Sequence, residues 1–233
     1  DLAVPVGGRI AAFSRLRGLG RAMADTTTAD SITIYSDYVC PFCYLGRHSL
    51  AQYQDERDAD LVIDWHPFDL RSGKRNPDGS IDHDVDDGKD EDYYEQAKEN
   101  VRRLQEEYDV AMDLDLSRDI DSLNAQIASV RVRDDADYET WLDFDWAIFE
   151  ALWTEGRDIG APDVLADIAE NAGIEPETVR AAVADDDLRE RVRTLFDDAK
   201  RQGVTGVPTF AYDGYAARGA VPPEQLRRLV EGV

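Results

Sequence analysis

The two cysteines of this 233-residue chain stand three positions apart, in Cys40-Pro41-Phe42-Cys43. Two sulfurs at that spacing on the first turn of a helix can close a disulfide with each other. The unpaired N–H groups and positive dipole end of such a turn favour a thiolate on the first sulfur. Pro41 suits this position, because the first helical turn has no use for the N–H that proline lacks. Two other readings are weaker. A zinc site would need two further ligands, and the three histidines, His48, His66 and His83, lie in unrelated contexts. A pair of inert core thiols would not require a strand before the motif and a helix after it. Reversible thiol–disulfide chemistry is therefore the expectation.

The elements around the motif agree. Ser31–Ser36 alternates β-branched and aromatic residues and ends at Asp37, which marks a buried strand. Cys40 to about Arg57 reads as a helix, with Leu45, Leu50 and Tyr53 on one stripe, and Leu61–His66 as a second strand closing a βαβ unit. Arg71 to Gly88 is acidic and turn-forming, and reads as an exposed loop. A helical tract follows, with helices expected over Glu91–Tyr108, Ile120–Arg133, Tyr138–Glu155, Pro162–Ala172, Pro176–Ala184 and Leu188–Gln202. In the third of these, Leu142, Trp146, Phe149 and Trp153 form a stripe that is buried or lines a cleft. Strand chemistry returns at Pro208–Tyr212 and Tyr215–Arg218 around an Asp213-Gly214 hairpin turn, and Pro223–Glu231 is a closing helix.

Gly203–Phe210 (GVTGVPTF) is the second segment with functional character. Pro208 opens a strand without a ladder donor, and prolines at such turns are often held cis. Asp37 is a candidate proton acceptor near the cysteines, a turn or capping role being the plainer reading. His48 reads as a surface residue and His66 as a packing neighbour of Trp65. Asp82, Asp84 and Asp86 alternate as in a calcium loop, but Gly88 comes one place late and Tyr93 occupies the closing position, so a solvated acidic loop is expected and no metal site.

Three stretches together carry a family resemblance: Ser36–Gly46 (SDYVCPFCYLG), Trp65–Leu70 (WHPFDL), and Gly203–Phe210 followed by Gly219-Ala220-Val221-Pro222-Pro223. The chain resembles the DsbA-like thioredoxin-fold family, in particular its FrnE-like branch, which is similar to 2-hydroxychromene-2-carboxylate isomerases and kappa-class glutathione transferases. The resemblance implies an α/β thioredoxin-like fold over residues 31-72 and 203-233, with a helical insertion domain over 73-202. It implies Cys40 and Cys43 as the redox pair, with Pro208, Val207, Thr209, Phe42 and Pro41 contacting substrate across a cis-proline loop. No bound cofactor is expected, with glutathione or another low-molecular-weight thiol as a candidate co-substrate. The partner would be a protein or small molecule carrying a thiol or disulfide, and the enzyme a monomer or homodimer.

Two departures matter. Phe42 stands where the branch usually has Trp, and Gln126, in Asn124-Ala125-Gln126, where it tends to have His. The isomerase and transferase relatives have Ser at the first cysteine, so Cys40 favours disulfide chemistry over isomerisation. Grip of unfolded chains by an apolar insertion is a third, non-enzymatic reading. Phe42 offers the thiolate no positive charge, so the expected potential is less oxidising than the ~−120 mV of DsbA and nearer ~−200 to −270 mV.

Composition sets the surroundings. The chain carries 50 Asp+Glu against 26 Lys+Arg, a net charge of −24, with only 4 lysines. Nucleic acid is an unlikely partner for such a polyanion, and no apolar run approaches the ~20 residues that span a bilayer. The excess of short carboxylates reads as the surface of a protein from a saline cytoplasm, where salt screens self-repulsion. The acids are read as mostly surface groups. Residues 1-30 form an N-terminal tail, whose first 22 positions hold Arg9, Arg15, Arg17 and Arg21 against Asp1 alone; Met23 is the expected native start, and the absence of an export signal points to the cytoplasm.

Overall fold

The computed structural model describes residues 30–76, 78–82, 84–86, 88, 90–114 and 120–232. The tail before residue 30, with Met23, and His83 lie outside the described residues.

Strand β1 (Asp30–Ser36) is followed by helix α1 (Pro41–Asp55) and strand β2 (Leu61–Pro67). Six helices come next: α2 (Glu91–Tyr108), α3 (Leu123–Asp135), α4 (Tyr138–Trp153), α5 (Pro162–Asn171), α6 (Pro176–Val183) and α7 (Asp186–Arg201). Strands β3 (Thr209–Tyr212) and β4 (Tyr215–Arg218) and helix α8 (Pro223–Glu231) end the described chain. The sheet order is β2-β1-β3-β4, with β1 parallel to β2 and antiparallel to β3. The result is an α/β thioredoxin-like fold with a helical insertion between β2 and β3.

Alternation along β1 separates two layers, as the two-residue period of a strand requires. Ile32 and Ile34 pair with Ile63 and Trp65 of β2, and Ile34 also with Phe210 of β3; they join the main core with Leu45, Leu50 and Tyr53 of α1. Tyr35 points the other way, into a small cluster with Phe68, Ala199 and Val204 under α7. β1 is thus central and covered on both faces, which holds its C-terminal end, where the cysteines begin, in a fixed position.

The acidic composition serves the helices. Asp90, Asp137 and Asp185 are N-caps whose side chains accept from backbone N–H groups of the first turns of α2, α4 and α7. The Asp185 cap starts α7 at Asp186, two residues before Leu188. In contrast, α3 starts at Leu123, later than periodicity suggests, because Asp121 and Ser122 turn their side chains to Arg75 and Asp37.

The segment 71–88 is more than an exposed loop. It contains a 3₁₀ turn (Ser72–Lys74) and a bridge between Arg75 and Ile81. Arg75 is largely buried between Asp69 and Asp121, donating two hydrogen bonds to each carboxylate. No helix among the described residues is long and apolar enough to cross a membrane.

Candidate active site

Cys40 is the N-cap of α1, with extended backbone (φ −93°, ψ 113°) and no side-chain capping bond, so its sulfur is free to face elsewhere. It donates to the Val207 carbonyl at 3.6 Å, across a Val207–Pro208 peptide that is cis. The Cys43 N–H donates to the Cys40 carbonyl at 3.0 Å, as the first helical turn demands. Cys40 is 4 % exposed and Cys43 fully buried. Burial, then the hydrogen bond with Cys40, pushes the Cys43 thiol well above its ordinary range.

Two features hold the proline loop against the cysteines. Gly46 lies on the face of α1 turned to the loop, where a Cβ would meet Pro208 Cγ and Phe210 Cζ, each at 3.1 Å. The Thr209 hydroxyl is buried and donates back to Gly206 O at 2.7 Å, bracing the turn into β3. Val39, Phe42 and Val207 stay half-buried, so the partly open surface beside Cys40 is apolar. Pro41 is half-buried at the start of α1.

Asp37 lies beneath the pair, fully buried. Its carboxyl accepts from Leu70 N at 2.9 Å, Val39 N at 3.3 Å and the Ser122 hydroxyl. Desolvation outweighs these three bonds and lifts its pKa to about 6, with Asp69 adding a smaller push. The Asp37 carboxyl is also felt at Cys43, raising the thiol further, while the Asp37 backbone N–H favours the thiolate. The turn role expected for Asp37 is present in the Val39 bond, and the charge of the acid is additionally felt at the inner cysteine.

Several residues around the site carry roles the sequence did not disclose. Arg47, one turn after Cys43, forms a buried ion pair with Asp145 of α4 at 2.8 Å, and Tyr38 donates to the same carboxylate at 2.8 Å. The Trp153 indole donates to Tyr38 O at 2.8 Å. An arginine on the inward stripe of α1 and an aspartate on the Trp141–Ile148 face of α4 were the available signals. The buried face of α4 runs through Trp141, Phe144, Asp145 and Ile148, leaving Leu142 and Trp146 half-buried. His48 is not a surface residue. It is half-buried against Tyr44 and Trp146, with ring centroids at 4.6 and 4.7 Å. His66 packs on Tyr35 at 4.8 Å, not on Trp65.

A helix opening directly after a central strand, and facing a cis-proline at the entry to the neighbouring strand, is the layout of a thioredoxin fold. The chain belongs to the DsbA-like thioredoxin domain family, which matches residues 31–231. It is similar to an uncharacterized protein of Bacillus subtilis (strain 168), YwbO, at 22% identity over 204 residues, 85% of this chain and 94% of that one. Among solved structures it is similar to a probable DsbA oxidoreductase from Streptomyces coelicolor, with TM-score 0.66 and 22% identity, covering 83% of this chain and 85% of that one. It is also similar to a 2-hydroxychromene-2-carboxylate isomerase, with TM-score 0.68 and 18% identity, covering 82% and 89%. Likeness at these identities establishes the shared fold; the choice of chemistry rests on the site.

Proposed function

We propose that the chain is a thiol–disulfide oxidoreductase of the FrnE-like kind, working through Cys40 and Cys43. The observation that carries this reading is the placement of both sulfurs on the first turn of α1, with the outer one held against Val207 O. In the reducing direction the Cys40 thiolate attacks one sulfur of a substrate disulfide. A Cys40–substrate disulfide forms and the other substrate sulfur leaves as a thiolate. The Cys43 thiol then gives its proton to the Asp37 carboxylate and attacks Cys40 Sγ. The Cys40–Cys43 disulfide closes, the second substrate thiolate leaves, and two electrons have passed to the substrate. The reverse sequence oxidises a dithiol.

A buried thiol is a poor nucleophile until it loses its proton. Asp37, with a pKa of about 6, is ionised at neutral pH, and its charge is felt at Cys43, which supports its role as the acceptor. Pro208, Val207 and Thr209 orient the partner's chain, with Phe42, Val39 and Pro41 supplying apolar contact. A low-molecular-weight thiol such as glutathione, used by the transferase relatives, is the proposed reductant that returns the pair to dithiol form.

Fold likeness to an isomerase keeps one alternative specific, and Cys40, where those relatives carry Ser, argues against it. Insulin reduction decides. The wild type is expected to be active, Cys40→Ser inactive, and Cys43→Ser to accumulate a mixed disulfide visible by mass spectrometry. Turnover of an aromatic isomerase substrate that survives Cys40→Ser, with no insulin reduction by the wild type, would replace this reading with the isomerase one.

A further inference from the structure

The Asp37 carboxyl is not held by its own βαβ unit alone. Ser122, the N-cap of α3, turns its hydroxyl away from the helix it caps and donates to Asp37 Oδ1, across 85 residues of sequence. Ser122 is itself held. The Gln126 amide, one turn on and fully buried, donates to Ser122 Oγ at 3.2 Å and to Phe68 O at 3.1 Å. The hydroxyl therefore has a fixed direction, accepting from Gln126 while donating to Asp37, and a hydroxyl that accepts a hydrogen bond becomes a stronger donor. On the other flank, Asp121 is clamped by Arg75, which also holds Asp69. The entry to α3 is thus pinned against the rear of the thiol site.

We infer that Ser122 is a positioning residue for the thiol pair, through which the helical insertion fixes the orientation and charge of the Asp37 carboxylate behind Cys43. The inference rests on the proposed role of Asp37 as proton acceptor. The titratable groups that interact with that carboxyl are Asp69 from the segment after β2 and Cys43 from α1, while Asp121, next to Ser122 in the chain, is held by Arg75. Ser122 supplies the largest of the influences that favour the ionised acid, and loss of its hydroxyl leaves burial less opposed. Removing a hydrogen bond to a charged group moves the titration up by roughly one to two pH units. Gln126→Met keeps side-chain length but removes the amide, and moves it the same way by less.

The test uses full-length protein in two measurements. First, the Asp37 carboxyl carbon is titrated by NMR in wild type, Ser122→Ala and Gln126→Met. A midpoint raised by roughly one to two units in Ser122→Ala supports the inference whether or not the protein turns over insulin, and an unmoved midpoint in folded Ser122→Ala overturns it. Should Ser122→Ala not fold, Gln126→Met carries the same two outcomes. Second, the rate of Cys40–Cys43 closure from a mixed disulfide is followed against pH. Its acid limb is expected to move up in Ser122→Ala and to vanish in Asp37→Asn. The Ser122→Ala/Asp37→Asn double variant is expected to match Asp37→Asn. An equal Ser122 effect without the carboxylate would show a purely structural role and overturn the inference. Absence of any dithiol cycle in the wild type would instead refute the oxidoreductase reading, leaving the NMR result to stand by itself.

Discussion

Replacing Asp37 by Asn is expected to change the pH dependence of stability in a direction fixed by burial. The folded chain raises this carboxyl from 3.8 to about 6, chiefly by desolvation. A shift of about 2 units is worth about 3 kcal/mol. For an acid whose folded pKa lies above its unfolded value, the native state holds the proton more tightly. The contribution to stability is then fully present below 3.8 and is lost as pH rises through about 6. At about pH 7.5 the ionised Asp37 therefore costs the fold about 3 kcal/mol, of which about 2 kcal/mol develops between about pH 4.5 and pH 7.5.

The absolute stability of Asp37→Asn is a poor readout. The amide replaces one acceptor oxygen by a donor, so one of the groups on Leu70, Val39 and Ser122 loses its partner, at about 1–3 kcal/mol. The pH slope is cleaner. Urea unfolding of the reduced wild type and variant at several pH values gives two curves, and their difference removes every group common to both, including buried Asp145 and the two depressed histidines, His48 and His66. The variant is expected to gain about 2 kcal/mol on the wild type from about pH 4.5 to pH 7.5. Parallel curves would show that burial does not raise the Asp37 pKa, and would refute the reasoning from desolvation.

Three further outcomes follow from the same geometry. Asp145→Ala strands the Arg47 guanidinium in a dry environment and takes the acceptor from Tyr38, so a loss of about 3–5 kcal/mol is expected in urea unfolding, far more than the ~0–1 kcal/mol for an exposed pair such as Arg103–Glu107. Gly46→Ala places a methyl 3.1 Å from both Pro208 Cγ and Phe210 Cζ, so a destabilisation of about 1–3 kcal/mol is expected by thermal melting, with slower insulin reduction as α1 and the proline loop separate. Equilibration in glutathione buffers is expected to give a potential nearer ~−200 to −270 mV than the ~−120 mV of DsbA, and a value above DsbA's would refute the argument from Phe42.

The parts of the site that can be read from the chain are those within a few residues of one another. The cysteine spacing, the strand before it, the proline opening β3 and the caps that begin the helices are local patterns, and each has a local physical cause. Two more kinds of information are missing from such patterns. One is pairing across distance: Ser122 meets Asp37 across 85 residues and Arg47 meets Asp145 across 98, and no periodicity within α1 or α4 names the partner. The other is the separation of buried acids from surface ones. With 35 aspartates in the chain, Asp37, Asp69 and Asp145 look like the many that face solvent or cap helices, and an overall charge of −24 describes the surface so well that it conceals them.

The arginines were the better guide. Lysine is nearly absent, and a buried guanidinium must find carboxylates or pay heavily in lost hydration. Arg47 on the inward stripe of α1 and Arg75 inside a turn-forming segment therefore each required an acid to be buried with them. Arg47 meets Asp145 of α4, and Arg75 meets Asp121, the residue directly before Ser122. The helical segment is thus tied to the βαβ unit and the segment after it by Asp145 at Arg47, by Asp121 at Arg75 and by Ser122 at Asp37, the carboxyl proposed to take the Cys43 proton.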